Sequence, residues 1–189
     1  MITTRGRVAP ALLATTLALL AACGSDTPTN ALPSELQALK EATTPYQDIT
    51  AAEAAGYDTP LTPCWYDHAQ GGMGIHYGNV NLIDGTPSLM HPEVLIYEPQ
   101  SDHSLKLVAL EYLVPIDAWS GTSPPSLEGQ AFTRDDALGV YELHLWLWED
   151  NPKGMYFEWN PNVSCQYATD SEDQATLVAP ASAVVKGVR

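Results

Sequence analysis

Apolar and polar positions alternate strictly over residues 141–148, the period-2 signature of a β-strand. That spacing puts Leu143, Leu145 and Leu147 on one face and Glu142, His144, Trp146 and Trp148 on the other. Residues 105–114 predict a longer strand, ended by Pro115. One of its faces carries Leu105, Leu107, Ala109, Glu111 and Leu113, and the other is almost wholly apolar. Residues 93–98 form a compact strand candidate, and residues 99–102 read as the hairpin connection between the two. Residues 71–78 are a glycine-broken extended segment, with Gly74, His76 and Gly78 on one face and Met73, Ile75 and Tyr77 on the other.

Upstream the period changes. Residues 34–37 have the form of a capping box, and Leu36, Leu39 and Ala42 follow as an apolar stripe that Pro45 stops. Residues 50–53 repeat the box, and Gly56 stands where a helix end wants a left-handed residue. Asp84-Gly85 marks a turn, residues 119–130 read as a loop, and Asn-Pro pairs at 151 and 160 punctuate the end of the domain. Residues 169–189 have no strong period and read as a weak helix or a tail. Helices first and closely spaced strands later predict an α+β fold: two short N-terminal helices, then a mainly antiparallel sheet, in a single domain over residues 34–168.

The first residues belong to an address. Arg5 and Arg7 precede a 13-residue apolar core from Val8 to Leu20, followed by Leu20-Ala-Ala-Cys23. The core is short for a membrane span, which needs about 20 apolar residues. The Leu-Ala-Ala-Cys run resembles the lipobox of bacterial lipoproteins. Residues 1–22 are then the signal peptide, and Cys23 becomes the lipid-bearing (palmitate-type) N-terminus. Residues 23–33 form the lipidated Cys and a small, polar, Pro-containing tether. Gly24 follows the Cys, which does not resemble an inner-membrane retention signal. The expected location is therefore outside the cytoplasm: the periplasmic face of an outer membrane, or the cell surface. Two further cysteines, Cys64 and Cys165, lie 101 positions apart. An oxidising compartment favours their disulfide over two free thiols or a thiolate metal site. Closing a loop of that length is worth roughly 4.7 kcal/mol in the chain-entropy picture.

The 189 residues carry 23 acidic and 8 basic side chains. This argues against a nucleic-acid partner, which requires clustered cations, and against electrostatic attraction to anionic lipid. The membrane is thus expected as a partner only through acyl chains. Signatures for nucleotide binding, serine hydrolysis, zinc peptidases and calcium loops are absent.

Three titratable residues stand in unusual settings. His76 lies between glycines, which leave either open space for a ligand or room for a bulge. Glu111 sits in a strand that reads as buried on both sides, where a carboxylate needs a partner. His144 shares its face with Trp146 and Trp148, suiting a cleft lining. Two imidazoles and a carboxylate suit a divalent metal cofactor such as zinc, iron or manganese if they converge, or acid–base chemistry without metal. His68, His91 and His103 fall near turns and read as solvated, with Asp67-His68 a lesser candidate for the same site.

A set of motifs resembles a group of bacterial exported proteins and lipoproteins. They are Gly71-Gly-Met-Gly-Ile-His-Tyr77, Pro92-Glu-Val-Leu-Ile-Tyr-Glu-Pro99, Leu107-Val-Ala-Leu-Glu-Tyr112, Leu143-His-Leu-Trp-Leu-Trp148, Asn151-Pro-Lys-Gly-Met155 and Trp159-Asn-Pro161. The resemblance implies export and one shared domain over most of residues 40–165, and no reaction. The residues lead to three functional readings. The first is a lipid-anchored binding module holding a small ligand or metal through His76, Glu111, His144, Trp146 and Trp148. The second is a metal-assisted or acid–base hydrolase or lyase at the same residues. The third is an interaction lipoprotein whose aromatic face docks a protein partner.

Overall fold

Helix α1 (Ser34–Thr43) buries Leu36, Leu39 and Thr43, while Ala42 is exposed. The stripe therefore runs i, i+3, i+7, as 3.6 residues per turn requires over two turns. The buried Thr43 hydroxyl donates to Leu39 O at 2.9 Å and accepts the Trp148 indole N–H at 3.2 Å, so its burial leaves no polar atom unmatched. Neither expected capping box forms. Pro33 occupies the N-cap of α1, the Ser34 hydroxyl turns to Glu35, and the Gln37 amide donates to Leu32 O. After a 3₁₀ turn (Thr44–Gln47), Asp48 rather than Thr50 caps α2 (Ile49–Ala54). Its carboxylate accepts from both the backbone N–H and the hydroxyl of Thr50. Gly56 takes the expected left-handed conformation, φ +98°.

The computed structural model describes residues 1–3, 32–169 and 171–173, and the description concerns the unit Leu32–Arg189. The expected lipidation site at Cys23 and nearly all of the signal and tether lie outside the described residues. No helix among the described residues is long and apolar enough to cross a membrane.

The strands are β1 (Thr59–Asp67), β2 (Gly71–Gly78), β3 (Val94–Pro99), β4 (Leu105–Pro115), β5 (Ser126–Leu127), β6 (Gln130–Ala131), β7 (Thr133–Asp135), β8 (Val140–Leu145) and β9 (Ser171–Asp173). The main sheet runs β7-β8-β4-β3-β2-β1-β9. Every pair in it is antiparallel except β1–β9. This is the α+β fold with a mainly antiparallel sheet that the pattern predicts. Three strands of this sheet escape the pattern, one of them β7, only three residues long. Pro60 and Pro63 mask β1, whose ladder with β2 is correspondingly irregular. Residues 171–173, within the expected weak helix or tail, instead pair along β1. The expected loop at 119–130 contains the small hairpin β5–β6.

The two faces of the sheet have different tasks. One packs Leu95, Tyr97, Leu110, Tyr112, Leu143 and Leu145 against α1 and α2. The other gathers Val94, Ile96, Ala109, Leu113 and Val140 beneath the candidate site. Two bulges reassign side chains between these faces. In β4 the register slips between Ile96 and Tyr97, so Val108 and Ala109 both face the second cluster while Leu105 and Leu107 join the helices. The expected single face from Leu105 to Leu113 is therefore split at the bulge. In β2, Gly74 adopts φ +97° opposite a register shift in β1. Met73 and His76 consequently reach the same cavity, although simple alternation separates them. The glycines do not leave ligand space. A Cβ at Gly74 would lie 2.8 Å from both the Ile96 side chain and Tyr97 O, and one at Gly78 would strike Leu61.

Cys64 and Cys165 form the expected disulfide, with Cα atoms 5.7 Å apart. It ties the segment after β8 back to β1. Asn160, fully buried, bridges to Gly72 in the same region. Glu93 is also buried, 2% exposed, just before β3. Its carboxylate accepts the Leu113 backbone N–H at 3.1 Å, beyond the end of the β3–β4 ladder. Burial pushes its pKa up to about 8, with that hydrogen bond opposing.

Two predictions follow from this packing. Ala at Gly74 combines a disfavoured φ with backbone overlap, and should cost about 2–4 kcal/mol in urea denaturation. For Glu93, the folded pKa lies above the unfolded one. The protonated form therefore stabilises fully below about pH 4.3, and that stability is lost as pH rises towards 8. Glu93→Gln keeps an acceptor for Leu113 without the charge. Its Tm should exceed wild type by about 5 °C at pH 8 and match it near pH 4. Parallel Tm–pH curves for the two proteins would contradict the assignment.

Candidate metal centre

His76, Glu111 and His144 reach one point from β2, β4 and β8. Glu111 and His144 are direct cross-strand partners, so their meeting is a matter of register alone. His76 is different, because β3 and β4 separate β2 from β8. In a flat sheet three inter-strand spacings would hold these strands about 14 Å apart. The two Nε2 atoms are nevertheless 3.4 Å apart. The sheet curls to bring them together, and bulges such as those at Gly74 and Val108 add the local twist that curling needs.

Each oxygen of Glu111 faces one imidazole. Oε2 lies 3.7 Å from His76 Nε2, and Oε1 lies 3.8 Å from His144 Nε2. These separations exceed ordinary hydrogen bonds, which close to about 2.7–3.2 Å. They approach the roughly 3.4 Å edge of a tetrahedron built on metal–ligand bonds of about 2.0–2.1 Å. Among the described residues this is the one group of three or more His, Cys, Asp or Glu side chains with that proximity, its ligand atoms all within 4.8 Å.

All three side chains are buried, at 3–4% exposure. Burial pushes His76 down to about 4, with a backbone hydrogen bond to Gly74 opposing. Burial, together with the neighbouring His76, pushes His144 down to about 3. Glu111 is raised well above the ordinary carboxylate range, first by burial and then by repulsion from Glu142, Glu158, Glu93 and Asp135. Burial thus favours the neutral form of all three groups over an ion pair. Neutral imidazoles are the form that coordinates cations. A divalent ion would supply the positive charge that the surrounding carboxylates lack.

The group borders a cavity of about 60 Å³, whose walls include Thr62, Trp65, Met73, Leu138 and Glu142. That is room for roughly four or five waters at 10–15 Å³ each. It suits an ion with a small ligand rather than a metabolite. Thr62 Oγ1 lies 2.8 Å from His76 Nδ1. With the proton on Nδ1, the Nε2 lone pair points to the shared centre, the usual outer support for a metal-binding histidine. Trp146 stands behind His144 with its ring nearly parallel, centroids 6.3 Å apart, and its N–H spent on Phe157 O.

Of the five residues expected around a ligand, the structure joins His76, Glu111 and His144, and makes Trp146 a backing residue. Trp148 is a correction. β8 ends at Leu145, so alternation stops before reaching it. Trp148 packs instead with the helix-side cluster, under Lys40 and bonded to Thr43. His68 packs on Tyr66, His91 pairs with Ser88, and His103 occupies a left-handed turn position, so none joins the group. Thr62, Trp65 and Glu158 were missed. The first two lie on the proline-masked strand, and Glu158 follows β8 in a segment with no periodicity to place it.

Glu142 and Glu158, with His144, also border a second cleft of about 220 Å³ beside Gln130 and Phe157. It gives the buried centre a neighbouring opening on the side of β6 and β7. No family model, no curated protein and no solved structure matches the chain.

Proposed function

We propose that this domain binds a divalent first-row transition metal ion through His76 Nε2, His144 Nε2 and Glu111, leaving coordination positions open to the cavity. The observation that carries the reading is the approach of three ligating atoms from three separate strands, at near-coordination spacing, on the border of a hollow that holds a few waters. Two imidazoles and one carboxylate with open positions suit zinc, iron or manganese. The binding module is placed outside the cytoplasm and anchored to a bacterial membrane through Cys23. The signal pattern and the Cys64–Cys165 disulfide support that placement, since such bonds persist in oxidising compartments. The interaction reading gains little support, because Trp146 is 3% exposed and Trp148 packs under a helix.

One observation favours the hydrolase or lyase reading as a second choice. Glu142 shares the cavity wall with the three ligands, where a carboxyl group can move protons beside a polarised substrate. Glu142→Gln would then retain metal and lose turnover.

Purified protein titrated with Co²⁺ or Zn²⁺ should take up one equivalent, read by calorimetry and elemental analysis after dialysis. His76→Ala, His144→Ala and Glu111→Gln should each lower affinity at least a hundredfold, while Thr62→Val should lower it about tenfold. Metal should raise the Tm of wild type and not of the three ligand variants. Failure of wild type to retain any first-row ion at micromolar concentration would remove the reading.

A further inference from the structure

Among the described residues, one buried side-chain nitrogen or oxygen has no hydrogen-bond partner: the indole Nε1 of Trp65. Trp65 lines the cavity that the metal ligands border, its ring centroid 6.1 Å from that of His76. Three other indoles show the contrast. Trp119 donates to Ser123 O, Trp146 to Phe157 O and Trp148 to Thr43 Oγ1. A buried N–H left unmatched is unfavourable, and native structures tolerate few without a functional or solvent partner. An indole N–H only donates, so whatever satisfies it must be an acceptor.

We propose that Trp65 is the anchoring donor for a small oxygen-donor ligand, of formate size, that completes the coordination of the metal held by His76, Glu111 and His144. The inference rests on the metal reading above and adds the ligand class to it. Two features limit that class. The cavity volume of about 60 Å³ admits an ion and a ligand of about three non-hydrogen atoms. The rest of the wall is apolar at Leu61, Met73 and Leu138 and acidic at Asp135, Glu142 and Glu158, so a ligand's oxygen finds few donors there besides the metal and the Trp65 indole. Trp65 thereby acts on the exogenous ligand and not on the metal.

The test uses Zn²⁺-loaded protein with ¹⁵N-labelled tryptophan, titrated with formate. The Trp65 indole resonance, identified by its loss in Trp65→Phe, should shift downfield and saturate. The signals of Trp119, Trp146 and Trp148, already bonded, should stay in place. Trp65→Phe should bind Zn²⁺ with wild-type affinity and formate about tenfold more weakly, the usual worth of one hydrogen bond. Replacing Trp65 by its benzothienyl isostere, which keeps the ring shape without the N–H, should weaken formate equally. That variant separates donor loss from a packing defect. Zn²⁺ binding with no formate response at Trp65, or equal formate affinity in the isostere, overturns the inference and leaves the metal reading intact. Absence of Zn²⁺ binding by wild type overturns both.

Discussion

The candidate site depends on the curl of one antiparallel sheet. His76 and His144 stand on strands with two others between them, and only a strongly coiled sheet lets their imidazoles approach. Gly74 is central to that shape. Its positive φ carries the bulge between β1 and β2, and its missing Cβ lets Ile96 and Tyr97 come close. The same bulge moves His76 onto the face shared with Met73. A glycine read along the sequence as room for a ligand is room for a neighbouring strand instead. The ligand space lies farther in, where the curled face encloses it.

Curling has an electrostatic consequence. It places Glu111 among Glu142, Glu158 and Asp135, and two imidazoles against each other, with Glu111 and both imidazoles buried. Glu111, His76 and His144 are each driven towards the neutral form. A protein interior normally avoids such a gathering unless something repays the lost hydration. Direct pairing does not, since the closest approaches within the trio are 3.4–3.8 Å. A cation at the centre would, which is why geometry and charge point the same way. The support around the trio is of the same kind: Thr62 holds one imidazole by a hydrogen bond, Trp146 backs the other, and the helix-side core fixes the strands from behind.

Much of the fold was legible in local pattern. The β3–β4 hairpin, the β2 segment, the two leading helices and the disulfide partners all follow from short-range rules of alternation, turn chemistry and cysteine count. The failures are equally local. Alternation carried past the end of β8 put Trp148 on the wrong face. Alternation carried through the β4 bulge put Leu105 and Leu107 on Glu111's face. Prolines in β1 hid Thr62 and Trp65, because a strand that tolerates proline loses the ladder regularity by which strands are recognised.

The sequence by itself determined which side chains needed an explanation. A carboxylate in an apolar strand and histidines on glycine-flanked or aromatic faces are conspicuous because burial of such groups is unfavourable without partners. Only the tertiary structure decided that they are one another's neighbours. Their convergence depends on how far the sheet coils across four strands, and coiling is set by bulges and by packing against the helices. Those are long-range constraints, and the spacing of residues along the chain does not encode them.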